Sequence, residues 1–255
     1  MAPVTYGRHT HQVTPGLLRR VHGGGLRGAV AGYDFATGRV AAFEFLESSG
    51  DALDSLGSAS ALVALNSPGT ASSGKPNLPG GRSMAAASSQ RFDQGVADAA
   101  LGAGPSESFG IVVVGRLNGG AGTHGVFGDL HQGLEVRVRA SDGLYNSYTK
   151  TTTVEINLAA GAVFPTGVVA ASIVSHDRSD GKTRMWYDDT LAATGGALTA
   201  DDFTAGLRLM CGGNESGSRL LDQDVFRVWV YRGRALDQAF ADAFYNGGDF
   251  TAFAP

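Results

Sequence analysis

The residues best suited to chemistry in this chain are its carboxylates, because two carboxyl groups several ångströms apart can cleave a glycosidic bond. The sequence has six glutamates, at positions 44, 47, 107, 135, 155 and 215. Glu44 and Glu47 are the nearest pair, and an offset of three on a strand places them on opposite faces of a sheet. No glutamate pair has the spacing that a shared substrate would need. The sequence therefore predicts a protein that is not an enzyme.

Histidine and cysteine offer no better candidate for catalysis. His9 and His11 are closely spaced, but they lie in a glycine-rich stretch, which favours solvent-exposed or interface histidines over a metal pair. Cys211 is the sole cysteine, which rules out an intramolecular disulfide, and its apolar neighbours predict a small buried side chain. Motifs for nucleotide binding and for serine hydrolases are absent. We therefore predict no cofactor.

Aspartates in turns offer a second kind of chemistry, the coordination of calcium by oxygen atoms from separate loops. Asp177 and Asp180 flank one turn, and Asp188 and Asp189 occupy another. Turn aspartates more often accept hydrogen bonds from their own backbone. The sequence leaves both roles open and favours the turn role.

Aromatic residues on two strand-like segments could bind a ligand without catalysis. The candidate ligand-binding residues are Trp229, Tyr231 and Arg227 on one face of a segment, and Trp186 on another segment. The opposite face of the first segment carries Phe226, Val228 and Val230. If that face is core, the candidates form an exposed platform for a sugar or a protein partner. The favoured alternative is that Trp229 packs beneath a loop or the terminal helix.

The elements that must position these residues are short strands. Leu134, Val136 and Val138 alternate with Glu135, Arg137 and Arg139, which gives one apolar and one charged face. Similar segments recur at regular intervals with glycine-rich turns between them, which predicts an all-β sandwich. One helix is expected near the C-terminus. It would begin at Asp237, a good N-cap residue, with Phe240 and Phe244 on one face.

The order of elements from Thr183 to Asn246 resembles the concanavalin A-like, laminin-G-type (pentraxin-like) jelly roll. That order is a hairpin, two further strands and a closing helix. The segment from Phe43 to Gly57 resembles the opening strand of the same family. The resemblance implies a β-sandwich spanning 29–255, with the helix closing one end. It also implies recognition in place of catalysis, with sugar or calcium as ligands.

The N-terminal residues 1–28 have a different composition and predict an irregular arm or linker. Pro3, Pro15 and a run of three glycines interrupt any regular element. The first 33 residues contain no acidic residue and four arginines, Arg8, Arg19, Arg20 and Arg27. Such an arm suits docking on an acidic protein surface, and nucleic acid is the alternative partner.

A fold typical of extracellular proteins stands here without a visible signal peptide, a disulfide or a membrane-spanning segment. A virion protein reconciles these features, because it is made in the cytoplasm and works outside the cell. We therefore expect a phage accessory protein, such as a head-decoration, fibre or tail component. Its arm would bind other virion proteins, its sandwich would recognise a host-surface glycan, and it would form a homo-oligomer. The alternatives are a free carbohydrate-binding module and, least favoured, a glycoside hydrolase.

Overall fold

The computed structural model describes residues 33–120, 125–131, 133–138, 144–150, 155–163, 165–197, 203–214 and 216–253. The chain divides into two units, Met1–Tyr33 and Asp34–Pro255. The predicted arm, with Arg8, Arg19, Arg20 and Arg27, lies outside the described residues. The arm, its boundary at residue 28 and its docking role therefore stay predictions.

One sheet of the second unit has eight strands. In spatial order they are β13 (Thr190–Ala197), β12 (Lys182–Tyr187), β11 (Val169–Asp177), β6 (Phe109–Gly120), β15 (Leu221–Arg232), β4 (Gly81–Met84) and β3 (Gly69–Ala71). The eighth strand, β1 (Arg39–Phe43), pairs with the C-terminal part of β15. The hairpin predicted around Asp188 and Asp189 is the β12–β13 connection.

The other sheet has seven strands. In spatial order they are β10 (Glu155–Val163), β9 (Leu144–Lys150), β8 (Leu134–Val138), β7 (Gly125–His131), β14 (Arg208–Cys211), β5 (Arg91–Asp93) and β2 (Val63–Leu65). Neighbouring strands in both described sheets run antiparallel. The predicted all-β sandwich is therefore confirmed.

The core lies between the two sheets and follows the alternation of the strands. On β8 the apolar residues Leu134, Val136 and Val138 belong to this core, because alternate side chains of a strand point to the same face. On β15 Val228 and Val230 belong to it as well. Cys211 is fully buried there, as predicted. Burial raises the pKa of its thiol, so the thiol stays protonated and unreactive.

The helix α1 (Gln238–Tyr245) begins where the sequence predicts. The Asp237 carboxylate accepts a hydrogen bond of 2.8 Å from the backbone N–H of Phe240, which satisfies one of the free donors of the first turn. The helix lies on the outer face of the eight-stranded sheet: the Phe240 ring is 5.3 Å from that of Tyr231 on β15. The resemblance implied that this helix closes one end of the sandwich, and the structure shows that it does not. Short 3-10 turns occur at Ala86–Ser88, Ala99–Leu101, Asn246–Gly248 and Thr251–Phe253.

A buried arginine on β4 holds the loops around the edge of this sheet. Arg82 is only 1% exposed. Its guanidinium donates hydrogen bonds to the carbonyl oxygens of Gly50 (2.9 Å), Pro68 (2.6 Å) and Gly69 (3.0 Å), and it lies over the ring of Phe92 at 5.2 Å. Three backbone carbonyls of two loops are thereby tied to one strand, so Arg82 is a structural residue.

The described part of the chain contains no helix with the length and apolar character needed to cross a bilayer.

Candidate functional site

The predicted aromatic platform is wrong, because the C-terminal segment of the chain covers it. Trp229 and Tyr231 do lie on the outer face of β15, but they are 3% and 0% exposed. The Trp229 ring lies 5.4 Å from Phe244 of α1 and 4.8 Å from Phe253. Its indole N–H donates to the Glu44 carboxylate at 3.1 Å. The alternative, packing of Trp229 beneath the terminal helix, is what the structure shows.

The other two candidates of the platform are buried by the same segment. Arg227 is 4% exposed; its guanidinium pairs with the Glu44 carboxylate and lies 5.3 Å from the centre of the Phe253 ring. Trp186 is 1% exposed, and its indole N–H donates to the Gln238 side chain at 3.0 Å. Both residues therefore anchor the C-terminal segment on the sheet and offer no surface to a ligand.

The four aspartates proposed as calcium ligands do not come together. Asp177 and Asp180 lie at the β11–β12 turn, where the guanidinium of Arg184 pairs with both carboxylates. Asp188 and Asp189 lie at the opposite end of β12, and a strand of this length spans roughly 20 Å. Within the ranges that the structure describes, no three His, Cys, Asp or Glu side chains are grouped to hold a metal ion.

Asp188 instead shapes the β12–β13 turn. It has a left-handed backbone with a φ of 55°. Its carboxylate accepts a hydrogen bond of 2.8 Å from the backbone N–H of Ala171. Burial is the main cause that raises the pKa of Asp188 to about 7, and the nearby charge of Asp189 adds to it. The folded state therefore prefers Asp188 protonated, so its contribution to stability is complete below about pH 4 and lost as the pH rises through about 7.

Asparagine at position 188 should abolish this pH dependence. Asp188→Asn keeps an oxygen for the Ala171 N–H and tolerates the left-handed backbone. The variant should match the wild type near pH 4 and exceed it by about 4 kcal/mol in unfolding free energy near pH 7.5, since the pKa rises from 3.8 to about 7. Urea unfolding at both pH values measures this difference. Asp249→Asn, an exposed control, should change the unfolding free energy by the same amount at both pH values. If the unfolding free energies of Asp188→Asn and the wild type differed by the same amount at both pH values, the protonation of Asp188 would not be the cause.

His176 is the histidine whose side chain the structure describes, and it is a core residue. It is fully buried, with Nδ1 at 3.1 Å from the Thr183 hydroxyl and its ring 5.7 Å from that of Phe109. Burial lowers the pKa of His176 to about 4, so the ring is neutral near pH 7. His9 and His11 lie outside the described residues.

Charged side chains gather on the outer face of the seven-stranded sheet, a surface that we call the charged face. It consists of Arg91 and Asp93 on β5, Asp129 on β7, Glu135 and Arg137 on β8, Arg208 on β14, and Arg219 from the loop after β14. Alternation places them there, because their strand neighbours Phe92, Leu130, Leu134, Val136 and Leu209 belong to the core.

Three carboxylates of the charged face form one row across four strands. Asp93 is opposite Met210 on β14, Met210 is opposite Asp129, and Asp129 is opposite Glu135. Asp129 and Glu135 are therefore direct cross-strand neighbours, a position where like charges destabilise a sheet. The three residues are only 3% to 7% exposed.

Guanidinium groups flank this row on both sides. Arg208 grips Asp93 with two hydrogen bonds of 2.6 and 2.5 Å, one to each carboxylate oxygen. Arg137 donates to Glu135 at 2.5 Å, and Arg219 Nη1 lies 3.6 Å from the other oxygen of Glu135. On the charged face it is the guanidinium groups that reach solvent, since the side chains of Arg208 and Arg219 are 22% and 42% exposed, while the carboxylates beneath them are buried and hold them in place. Planar guanidinium donors of this kind can bind hydroxyl and carboxylate groups.

The loop between β14 and β15 brings Arg219 to this face. The Asn214 side chain accepts a hydrogen bond from the Ser218 N–H at 2.9 Å, which closes the loop into a turn. Gly217 has a φ of 68°, and a Cβ there would lie 3.0 Å from the Arg91 guanidinium. A larger residue at 217 would therefore press on Arg91.

The sequence revealed one strand of the charged face and missed the others. The alternation of Glu135 and Arg137 on β8 predicts a charged outer face. The carboxylate search compared spacings along the chain, whereas Asp129 and Glu135 meet across a β7–β8 pairing. A signal was present on β5, because Arg91 and Asp93 flank the apolar Phe92.

Comparisons with known proteins support the fold of the second unit. No family model matches the sequence, and no curated protein matches it. Domain 4 of AbnA, a GH43 extracellular arabinanase from Geobacillus stearothermophilus, matches with a TM-score of 0.60 and 14% identity, covering 80% of this chain and 96% of that one.

Two toxin binding domains are also similar in structure. The binding domain of Paraclostridial mosquitocidal protein 1 has a TM-score of 0.65 and 9% identity over 82% of this chain. The binding domain of botulinum neurotoxin DC has a TM-score of 0.58 and 10% identity over 83% of this chain. This chain covers 52% of each of those two chains. At these identities the likeness shows a shared β-sandwich fold.

Proposed function

We propose that this protein is a non-catalytic recognition protein that binds glycans on the charged face. The observation that carries the proposal is the pair of partly exposed guanidinium groups, those of Arg208 and Arg219, which lie over the buried carboxylates of Asp93 and Glu135. A guanidinium group can donate to the hydroxyl groups of a sugar. The Arg208 guanidinium is oriented for this role by two hydrogen bonds to Asp93.

The cost of the arrangement also favours recognition. Buried ion pairs contribute little net stability compared with apolar residues of the same size, and the Asp129–Glu135 neighbourhood is unfavourable. Local features that oppose stability are expected at functional sites. The proposal gains further support from two proteins of the same fold, since the AbnA domain was solved in complex with arabinotriose and the neurotoxin DC domain in complex with SialylT.

A glycan array probed with the wild type and Glu135→Gln tests the proposal. The substitution removes one charge and keeps the shape, so the fold should persist. We expect the wild type to bind a subset of glycans and the variant to bind them about tenfold more weakly, because a charged hydrogen bond contributes about 1.5 kcal/mol or more. Asp180→Asn, at the β11–β12 turn, should bind like the wild type.

Two outcomes would contradict this proposal. Equal binding by the wild type and Glu135→Gln, with unchanged melting temperatures, would place the glycan elsewhere. Release of reducing ends from any bound polysaccharide would show turnover and overturn the non-catalytic assignment. The variant's melting temperature must be recorded alongside, so that a loss of binding is not mistaken for unfolding.

We propose further that the setting of this recognition is a virus particle, with residues 1–28 as the docking arm and with several copies per assembly. The support is the acid-free, arginine-containing composition of the arm. Deleting residues 1–28 should abolish incorporation into phage particles and leave glycan binding intact. Unchanged incorporation would contradict the docking role. Failure of the full-length protein to associate with any particle would favour a free carbohydrate-binding module.

A further inference from the structure

The charges of the charged face lie at different depths. The side chains of Asp93 and Glu135 are 4% and 9% exposed, whereas those of Arg208 and Arg219 are 22% and 42% exposed. The carboxylates thus form the floor, and the guanidinium groups stand closer to solvent. A ligand that approaches this face meets positive charge first.

Two arginines of the charged face differ in how closely a described carboxylate holds them. Asp93 is already gripped through both of its oxygens by Arg208. Arg219 has a looser partner within the described ranges, since the nearest carboxylate oxygen there, on Glu135, is 3.6 Å away, beyond hydrogen-bond distance.

We propose that the charged face selects glycans that carry a carboxylate, with Arg219 as the residue that engages it. This inference rests on the proposed glycan-binding function and names the class of ligand. A guanidinium group matches a carboxylate in a planar, two-bond geometry. Arg219 lies at the rim, on a loop folded by Asn214, where such a group could reach it without displacing Glu135.

The test compares acidic polysaccharides with neutral forms of the same backbone. The probes are polygalacturonate, hyaluronan and polysialic acid, each beside its carboxyl-reduced counterpart, together with heparin and a neutral glycan set. Calorimetry with the wild type should show binding to at least one acidic polymer and a loss of about tenfold or more on reduction of its carboxyl groups. Affinity should also fall between about 50 and about 200 mM salt.

Variants separate a direct role of Arg219 from general attraction. Arg219→Met should weaken binding of the acidic polymer about tenfold and leave binding of its reduced form unchanged. Arg219→Lys should recover part of the affinity, because it restores the charge without the planar fork. Arg184→Met, an arginine on the other sheet, should have no effect.

The outcomes that would overturn this inference differ from those that overturn glycan binding itself. Equal binding of acidic and reduced polymers, or binding of neutral glycans alone, would contradict the selection and leave the proposed function standing. Binding of heparin without any carboxylate polymer would contradict the choice of ligand. Binding to no probe in either set would contradict both.

Discussion

Replacing Trp229 by alanine is expected to lower the free energy of unfolding by about 3 to 5 kcal/mol. The side chain is 3% exposed and contacts the rings of Phe35, Phe244 and Phe253. Its removal would leave a cavity beneath α1 and would leave the Glu44 carboxylate without the indole donor. Urea-induced unfolding, followed by far-ultraviolet circular dichroism, measures the loss.

An exposed apolar residue provides the control for this experiment. Val96 is 70% exposed, so Val96→Ala should change stability by no more than about 0.5 kcal/mol. A stable Trp229→Ala variant that instead loses glycan binding would restore Trp229 to the surface as a ligand-binding residue. That result would contradict its place in the packing of the C-terminal segment.

Arg82→Met is expected to lower the free energy of unfolding by about 3 kcal/mol. Methionine fills a similar volume but donates no hydrogen bond, so the carbonyls of Gly50, Pro68 and Gly69 lose their donor. Each buried acceptor left without a partner costs about 1 to 3 kcal/mol, reduced where water can enter. The same urea titration measures the effect.

The matched control for Arg82 is an arginine at the surface. Arg219→Met removes the same group from a side chain that is 42% exposed, and its effect on stability should stay within about 1 kcal/mol. If Arg82→Met were as stable as the wild type, the three hydrogen bonds would contribute nothing net. Arg82 would then not be the residue that holds those loops.

The fold was predictable from the sequence because its signals are local. The alternation on β8, the Asp237 N-cap and the hairpin at Asp188 each depend on residues close in the chain. The core face of β15 was recovered in part: Val228 and Val230 face the core, whereas an irregularity between Val225 and Arg227 places Val225 in the core in place of Phe226. What a strand alternation cannot show is what covers the other face. That is why Trp229 and Tyr231 were expected at the surface and lie beneath α1.

The candidate site was less predictable because it is assembled across strands. Glu135 and Arg137 are two residues apart, whereas Asp93 and Asp129 join their row through the pairings of β5, β14, β7 and β8. Such register depends on the order of strands in the sheet, which spacing along the chain does not encode. Arg219, which reaches Glu135 from the loop after β14, is a further contact between residues far apart in the chain.

The most direct test of the central claim is an NMR titration of the ¹⁵N-labelled protein with a glycan that it binds. Amide shifts should concentrate at residues 91–93, 129–137 and 208–219, the strands and loop of the charged face. Trp186 and Trp229 lie on the eight-stranded sheet, buried beneath α1 and the C-terminal turn. Their indole N–H signals should not shift. Shifts at these two indoles, with the amides of the charged face unmoved, would contradict the account.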